Sequence, residues 1–475
     1  MLFLYKKVRH NRIMVLTIFD LLLVPFYFVL IYFISGYIQQ KNIPKAPLYK
    51  WYRKGLLVKV LGAISVCLIY QFYYAGGDTS NYYETTKAIV GLLLKDSNVF
   101  WKIVLFGETT RENYNFFDAS TGLPVYWRDG ASLFVSRLVV PLYFLSFKSF
   151  MVMSMLLSWV CYSGVWRLFV LFTNQFRELE KQFAIAFLFI PSVVFWGSGL
   201  LKDSITLAAV GWYTCHFYYF FIERKYSLKS AACIFISSFL LISIKPYIFF
   251  AVLPGSLIWL SNDRLSKVKS RMLKTLVAPL FISIGVIISF FLLSQMGDVL
   301  GLYAIDKIMD RAVVVNLDQQ QGYYGGNSFD IGHFDANPIS MLGKAHLAIA
   351  ATLFRPYLWD VRNSVMLMSA LENTYILFLT AFLLIRLKFL GFFLLIGKNP
   401  LLLFSILFSL FFAFSVGIAT SNFGSLVRLK IPCIPFFVAS LFVLKYFYDQ
   451  KVNSVRKKKV TSRHSDSLRL IQNNR

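Results

Sequence analysis

A carboxylate stands directly after a pair of glycines within the first hundred residues of the chain. The segment Gly76-Gly77-Asp78-Thr79 follows an apolar run that ends near Tyr74. Two glycines let the backbone turn sharply, and an acid in such a turn can act as a general base toward a hydroxyl group or hold a divalent cation. Because Asp before Thr and Ser is also ordinary N-cap chemistry, a purely structural role for Asp78 stays open.

A second ionisable pair lies between two apolar runs. Lys202 and Asp203 follow Pro191, Gly197 and Gly199. Proline and glycine at these positions predict a broken helix. Charged groups so close to apolar runs are costly and are usually functional or paired, so Lys202 and Asp203 are candidate substrate-binding residues. The alternative is that Lys202 pairs with Asp203 or with a neighbouring helix as a structural contact.

Four further cations stand at the ends of apolar runs: Lys245, Arg355, Arg428 and Lys430. Basic residues on the outer side of a membrane oppose the positive-inside bias, and a membrane-bound anion such as a diphosphate would account for them. The alternative is that each cation extends to lipid headgroups. Tyr82 and Trp359 lie beside these charges and are candidates for stacking on a ligand, although interfacial aromatic belts predict the same residues.

The elements that must position these residues are membrane helices. Of 475 residues, 57% are hydrophobic and only 15% are charged, and apolar runs of about 20 residues recur along the chain. We therefore expect an all-α, polytopic bundle of roughly ten to twelve spans, because lipid leaves unpaired backbone groups without partners. The expected spans are 13–35, 55–74, 150–172, 183–198, 204–222, 230–244, 246–260, 275–294, 364–385, 400–418 and 431–448. We expect one membrane domain over 1–450 and a basic cytoplasmic tail over 451–475.

Basic segments predict the orientation of this domain. The segments expected in the cytoplasm are 41–54, 224–229, 264–274, 386–398 and the tail from 451. The regions 75–130 and 295–362 then form outer loops that hold most of the acidic residues, and 322–334 has the composition of an ordered binding loop. The N-terminal Lys6, Lys7, Arg9 and Arg12 compete with 41–54 for the cytoplasm, and 131–147 is either a span or an interfacial helix.

Composition and motifs also argue against several classes of protein. The net charge of +26 comes from the segments between apolar runs, which indicates contact with anionic lipid rather than nucleic acid. Five scattered cysteines without CxxC spacing indicate neither a metal cluster nor a disulfide framework. No Walker A or dinucleotide motif occurs, which argues against an ATP-driven transporter. His216 is expected to be a packed core histidine, and Glu372 is expected to face the bundle interior.

The order of these motifs resembles a family of bacterial membrane proteins. The motifs are GGDTSNYY at 76, PSVVFWGSGLLKDS at 191, KPY at 245, FRPYLWD with LEN at 354–373, and NFGSLVRLKIPCIPF at 422. The series is similar to the O-antigen or exopolysaccharide repeat polymerases and the related C-type membrane glycosyltransferases. In typical C-type enzymes the main acid follows the first span, whereas Asp78 follows the second expected span.

The resemblance implies a reaction and a location. A glycan would be transferred from an undecaprenyl-diphosphate carrier to a sugar hydroxyl at the outer face of the bacterial cytoplasmic membrane. Asp78 would be the base or would orient the acceptor, and Lys202, Lys245, Arg355 and Arg428 would hold the diphosphate. The cofactor is left undetermined, with a divalent cation as one option. A flippase for lipid-linked oligosaccharides and a noncatalytic scaffold are the competing classes.

Overall fold

Helices make up the described structure. The computed structural model describes residues 15–266, 305–321 and 327–473, the side chains of 262–266, 305–308 and 454–473 excepted. Within these ranges the only extended pairing is an isolated antiparallel bridge between Ser328 and Asn422. The all-α prediction is therefore confirmed. The expected span 275–294 lies outside the described residues.

The α-helices are numbered in chain order within the described ranges. The first thirteen are α1 Ile18–Asn42, α2 Tyr52–Leu68, α3 Asp78–Lys95, α4 Ser97–Trp101, α5 Arg111–Tyr114, α6 Gly130–Leu138, α7 Val140–Leu145, α8 Phe150–Gln175, α9 Glu180–Ala184, α10 Pro191–Trp196, α11 Lys202–Phe217, α12 Leu228–Ile244 and α13 Pro246–Ser266. After the first gap come α14 Ile305–Gln319, α15 Pro338–Gly343, α16 Ala345–Phe354, α17 Ser364–Leu387, α18 Phe389–Ile396, α19 Pro400–Ala419, α20 Phe423–Leu429 and α21 Ile434–Asn473.

Six helical stretches in the described residues are long and apolar enough to cross a membrane. They are Ile18–Asn42, Pro47–Tyr73, Phe150–Gln175, Lys202–Ile222, Ser364–Leu387 and Pro400–Ala419. A seventh would be α20 with Ile434–Asn453, two segments bent by 68°. The chain is a multi-pass membrane protein. The expected total of ten to twelve spans included the segments 230–244 and 246–260. In the structure these two segments form apolar helices that are shorter than the six stretches named above.

Proline and glycine break the chain where the sequence predicts. The helix that ends at Phe189 gives way to an extended Ile190, α10 begins at Pro191, and residues 197–201 are nonhelical before α11. The expected span 183–198 is thus a broken segment rather than one continuous helix. The stretch 131–147 forms the two short helices α6 and α7, which excludes a single span there. The expected outer loop 75–130 is largely helical, because α3 alone has 18 residues.

Close backbone packing holds α11 against α8. A Cβ atom on Gly164 would lie 2.2 Å from the carbonyl oxygen of Ala208. A Cβ atom on Gly211 would lie 2.3 Å from the carbonyl oxygen of Gly164. Small residues allow such approach, which is a common way for membrane helices to associate. This contact fixes the helix whose first two residues are Lys202 and Asp203.

Contacts between helix ends place several basic segments at one end of the bundle. Lys50 forms an ion pair with Glu180 at 2.7 Å, and Gln175, at the end of α8, donates to the hydroxyl of Tyr218 at 2.6 Å. Further ring contacts join the ends of α8 and α17 to α21: Phe176 with Phe447, and Phe382 with Tyr448. The segments 41–54, 224–229 and 386–398 therefore share one end, here called the basic end. Its location in the cytoplasm stays a prediction.

Candidate functional site

Arg428 lies at the centre of a charged network at the end opposite the basic end. It belongs to α20, whose first turn is capped by the side chain of Asn422. Its Nε donates to Asp203 Oδ2 at 2.6 Å, and its Nη1 donates to Asp78 Oδ2 at 2.5 Å. Arg428 thus joins two acids that are 350 and 225 residues away in sequence. We call Asp78, Asp203, Lys245 and Arg428 the Arg428 cluster.

Asp203 is the buried acid of this cluster. Its side chain has no solvent exposure, and its second oxygen accepts from Lys245 Nζ. Lys245 stands at the turn between α12 and α13 and is itself buried. A buried carboxylate needs compensating cations, and Asp203 has two. Lys245 is therefore occupied by Asp203 and acts as a structural partner rather than an open anion site.

Asp78 is the exposed acid of the cluster. Gly77 is the N-cap of α3 and Asp78 is its first residue, so the alternative role of Asp78 as the cap does not apply. Both glycines of the turn have positive φ, 126° for Gly76 and 135° for Gly77, as the sequence predicts for a sharp turn. The side chain of Asp78 is 41% exposed. Its Oδ1 accepts from the hydroxyl of Tyr126 at 2.9 Å.

A second ion pair lies beside the cluster. Lys202 Nζ is 3.4 Å from Asp129 Oδ2, and the lysine side chain is 16% exposed. Lys202 therefore pairs with a neighbouring element, whereas Asp203 pairs with other cations. Asp129 is also the N-cap of α6 and accepts from Ser132. This arrangement leaves Lys202 at the rim of the site.

The exposed acids stay ionised at neutral pH. Burial would raise the pKa of Asp78, but the charge of Arg428 and hydrogen bonds from Arg428 and Tyr126 outweigh it and hold the pKa below its ordinary value. Burial likewise opposes ionisation of Asp129, and hydrogen bonds from Ser132 and the charge of Lys202 lower its pKa. An Arg-paired carboxylate accepts hydrogen bonds well and is a weak base.

The remaining sequence candidates lie in different surroundings. Tyr82 is 2% exposed, and its ring packs on Tyr126 with centroids 4.8 Å apart. Trp359 is 79% exposed and stacks on Tyr357. The guanidinium of Arg355 lies over the rings of Phe329 and Tyr357, at 5.5 and 5.3 Å. Tyr82 therefore packs against Tyr126, and within the described residues neither Trp359 nor Arg355 bonds to the Arg428 cluster.

Lys430 is also outside the cluster, although it is two residues from Arg428. It is fully buried and donates to Asn373 Oδ1 at 2.7 Å and to the carbonyl oxygen of Arg355 at 3.1 Å. In the part of the chain that the structure describes, both of its hydrogen-bond partners are neutral groups. Lys430 therefore joins the bend after α20 to α17 and to the segment after α16.

Two ionisable residues inside apolar helices have structural partners. Glu372 accepts from the backbone nitrogen of Ser192 at 3.0 Å and from its hydroxyl at 2.7 Å. Glu372 of α17 therefore binds the first turn of α10. A backbone nitrogen in the first turn of a helix has no partner within that helix, and the carboxylate supplies one. His216 is buried, with Nδ1 3.2 Å from the hydroxyl of Ser230, as expected for a packed histidine.

The site contains two residues that the candidate set from the sequence omitted. Tyr126 contacts Asp78 and Asp129 contacts Lys202, yet the partners lie 48 and 73 residues apart in sequence. The only local signal was their place in the acidic, aromatic segment 75–130. Within the described ranges, no group of three or more His, Cys, Asp or Glu residues is placed to hold a metal ion.

Comparisons with protein-family models, with curated proteins and with solved structures found no match for this chain.

Proposed function

We propose that this protein is a membrane glycosyltransferase of polysaccharide assembly, working at the outer face of a bacterial cytoplasmic membrane. It transfers a glycan from a polyprenyl-diphosphate carrier to a sugar hydroxyl, as in repeat-unit polymerases. The observation that carries the proposal is the Arg428 cluster, in which distant segments bring two acids and two cations together at one end of a helical bundle. Ionisable groups in such a setting are costly and commonly mark a substrate site.

The reaction assigns a separate task to each exposed charge. The acceptor oxygen forms a bond to the anomeric carbon of the donor, and the bond from that carbon to the diphosphate oxygen breaks. The electron pair of the broken bond stays on the diphosphate, and the hydroxyl proton leaves the acceptor. Asp78 accepts the hydrogen bond of the acceptor hydroxyl and orients it. Although Asp78 is a weak base, it takes the proton late, because the acceptor oxygen becomes acidic once its bond to the anomeric carbon forms. Arg428 and Lys202 stabilise charge on the leaving diphosphate.

The buried members of the network support this chemistry indirectly. Asp203 binds Nε of Arg428 and thereby fixes the guanidinium that also contacts Asp78. Lys245 compensates the remaining charge on Asp203. Preorganised charges need no rearrangement when the transition state forms, which is the main source of electrostatic catalysis.

The proposal is tested first by removing the gene and analysing the glycans of the host. Loss of a repeat polymerase leaves single repeat units on the final acceptor and shortens the surface polysaccharide. Loss of a flippase instead leaves lipid-linked units facing the cytoplasm. This second outcome, or an unchanged glycan, would overturn the proposal.

Two substitutions then test the site with matched controls. Asp78→Asn and Arg428→Ala should insert normally and lower transfer by about 10²-fold or more, since each removes a charge that acts in the transition state. The ion pair of Lys95 with Asp118, at 2.5 Å, lies outside the cluster and supplies the controls Asp118→Asn and Lys95→Ala. Full glycan assembly in Asp78→Asn would exclude the assigned site, and it is the result that a scaffold would give.

A further inference from the structure

A cleft next to the Arg428 cluster has walls made of aromatic rings and amides. Its volume is about 230 Å³, and its rings are Tyr73, Tyr74, Trp196 and Phe423. Gly424 and Val427 also line it, and they belong to α20, the helix that carries Arg428. None of the described lining residues is charged. A neutral ligand with both apolar and polar faces matches such a wall.

The cleft and Asp78 share a common support. The ring of Tyr70 packs on Tyr74 at 5.4 Å and on Trp196 at 6.4 Å between centroids. A Cβ atom on Gly77, the residue before Asp78, would lie 2.9 Å from the ring of Tyr70. One buried ring therefore separates the acid from the wall of the cleft. The cleft thus lies one side chain away from the turn that carries Asp78.

Two asparagines of the wall have their side-chain oxygens committed to helix caps. Asn363 Oδ1 accepts from Met366 N at 2.9 Å, and Asn422 Oδ1 accepts from Ser425 N at 3.1 Å. The capping bonds fix which side-chain atom is the oxygen, so each NH2 group remains a donor. Within the described residues neither NH2 group makes a hydrogen bond to the protein. The cleft therefore offers two donors in fixed positions.

A third asparagine supplies an acceptor without a partner. Asn327 lines the cleft, and its backbone oxygen accepts from Phe423 N at 2.9 Å. Its side-chain oxygen is buried and has no hydrogen-bond partner among the residues that the structure describes. Buried acceptors are nearly always satisfied, so one that lines a cleft points to a missing donor. A ligand hydroxyl is such a donor.

We infer that this cleft is a binding subsite for one neutral pyranose ring, namely the acceptor sugar of the transfer, an assignment that rests on the proposed function. Aromatic rings stack on the C–H face of a sugar, while amide donors and an acceptor bind its hydroxyls and ring oxygen. The volume is below the roughly 300–1,000 Å³ of sites for drug-sized ligands, which matches a single ring rather than an oligosaccharide.

Direct binding tests the subsite without the reaction. The purified full-length protein in detergent is examined by saturation-transfer NMR with methyl glycosides of hexoses, 6-deoxyhexoses, N-acetylhexosamines and hexuronic acids. At least one neutral glycoside should bind, and the hexuronic acid should bind more weakly than its neutral counterpart, because a carboxylate would face an uncharged wall.

Asn363→Asp is the main variant because it keeps the helix cap and removes the donor. Aspartate caps helices as well as asparagine, so folding is retained, while sugar binding should weaken about tenfold through the lost hydrogen bond. Asn399→Asp is the matched control, since Asn399 caps α19 with the same bond to Leu402 N and does not line the cleft.

The aromatic wall is tested by a second pair of variants. Tyr73→Ala removes a ring of the cleft that is 60% exposed and should weaken sugar binding severalfold. Tyr226→Ala removes a ring that is 65% exposed at the basic end and should leave sugar binding unchanged.

The outcomes separate this inference from the proposed function. If no glycoside binds the wild-type protein more tightly than the Asn363→Asp variant, the subsite is excluded, whatever Asp78→Asn does to transfer. If a neutral glycoside binds and Asn363→Asp weakens it, while Asp78→Asn still assembles full glycan, the sugar subsite stands and the assigned transfer site fails. Equal loss in Asn363→Asp and Asn399→Asp would show a general effect of the charge and would also exclude the subsite.

Discussion

Arg428 and Lys430 are two residues apart on the chain and have opposite surroundings. Arg428 bonds to two carboxylates and is 19% exposed at one end of the bundle. Lys430 is fully buried and donates to an asparagine side chain and to a backbone carbonyl. The difference arises at the end of α20, where the chain turns through 68° into α21. The last turn of α20 faces the cluster, and the bend directs Lys430 into the packed interior.

The comparison shows that burial of a cation does not by itself indicate a substrate site. The Arg428 cluster combines a fully buried acid with one that is 41% exposed, so a ligand has access to one side of the network. Lys430 has no such access, and its donors hold protein groups together. Exposure of the partner residues, rather than the charge of the cation, separates the candidate site from a structural contact.

The largest expected effect comes from removing the shared acid, because Asp203 is the buried partner of both Arg428 and Lys245. Asp203→Ala should lower the free energy of unfolding by about 3–5 kcal/mol, since it leaves buried charge without compensation. Thermal unfolding in detergent, followed by tryptophan fluorescence, measures the change. The control Asp449→Ala breaks an exposed ion pair with Lys445 and should cost about 0.5 kcal/mol or less. Equal effects of the two substitutions would contradict the distinction between buried and exposed pairs.

Lys430 should give a smaller effect than Asp203. Lys430→Met keeps an unbranched side chain one atom shorter and removes the donor to Asn373 and Arg355, which should cost about 1–3 kcal/mol. The loss is limited because, within the described residues, Lys430 donates only to neutral groups, so no hydrogen bond to a carboxylate is broken, and the thioether fills most of the same space. The same unfolding measurement applies, with Lys398→Met at an exposed position as the control. A loss as large as that of Asp203→Ala would mean that Lys430 compensates a charge, most directly that of Glu372.

Local sequence signals predicted the backbone of the site. Gly76 and Gly77 indicated a sharp turn, Pro191 indicated a broken helix, and apolar runs indicated an all-α membrane bundle. Each of these depends on the conformational limits of a few adjacent residues, and each is confirmed. The number of spans was less predictable, because an apolar run does not reveal whether its helix crosses the membrane or ends early.

Side-chain pairing could not be predicted in the same way. Lys202 and Asp203 are adjacent, but neighbouring residues on a helix point in different directions, so Lys202 meets Asp129 and Asp203 meets Lys245 and Arg428. Lys430 looked equivalent to Arg428 in sequence, and only the bend between α20 and α21 separates them. These outcomes depend on packing between distant segments, which a single sequence does not encode in any local pattern.

The smallest expected effect is the pH dependence of Asp78. Its pKa is lower in the folded protein than in the unfolded chain, so its ion pair stabilises the fold above the unfolded pKa and is lost as pH falls through the folded pKa. Solvent screening at a side chain 41% exposed keeps this contribution below about 1 kcal/mol. The difference in unfolding temperature between wild type and Asp78→Asn should thus be constant from pH 7 to pH 5 and shrink below about pH 4. A difference that shrinks already between pH 7 and pH 5 would mean that the pKa of Asp78 is raised, and Asp78 would then be a stronger base than its contact with Arg428 allows.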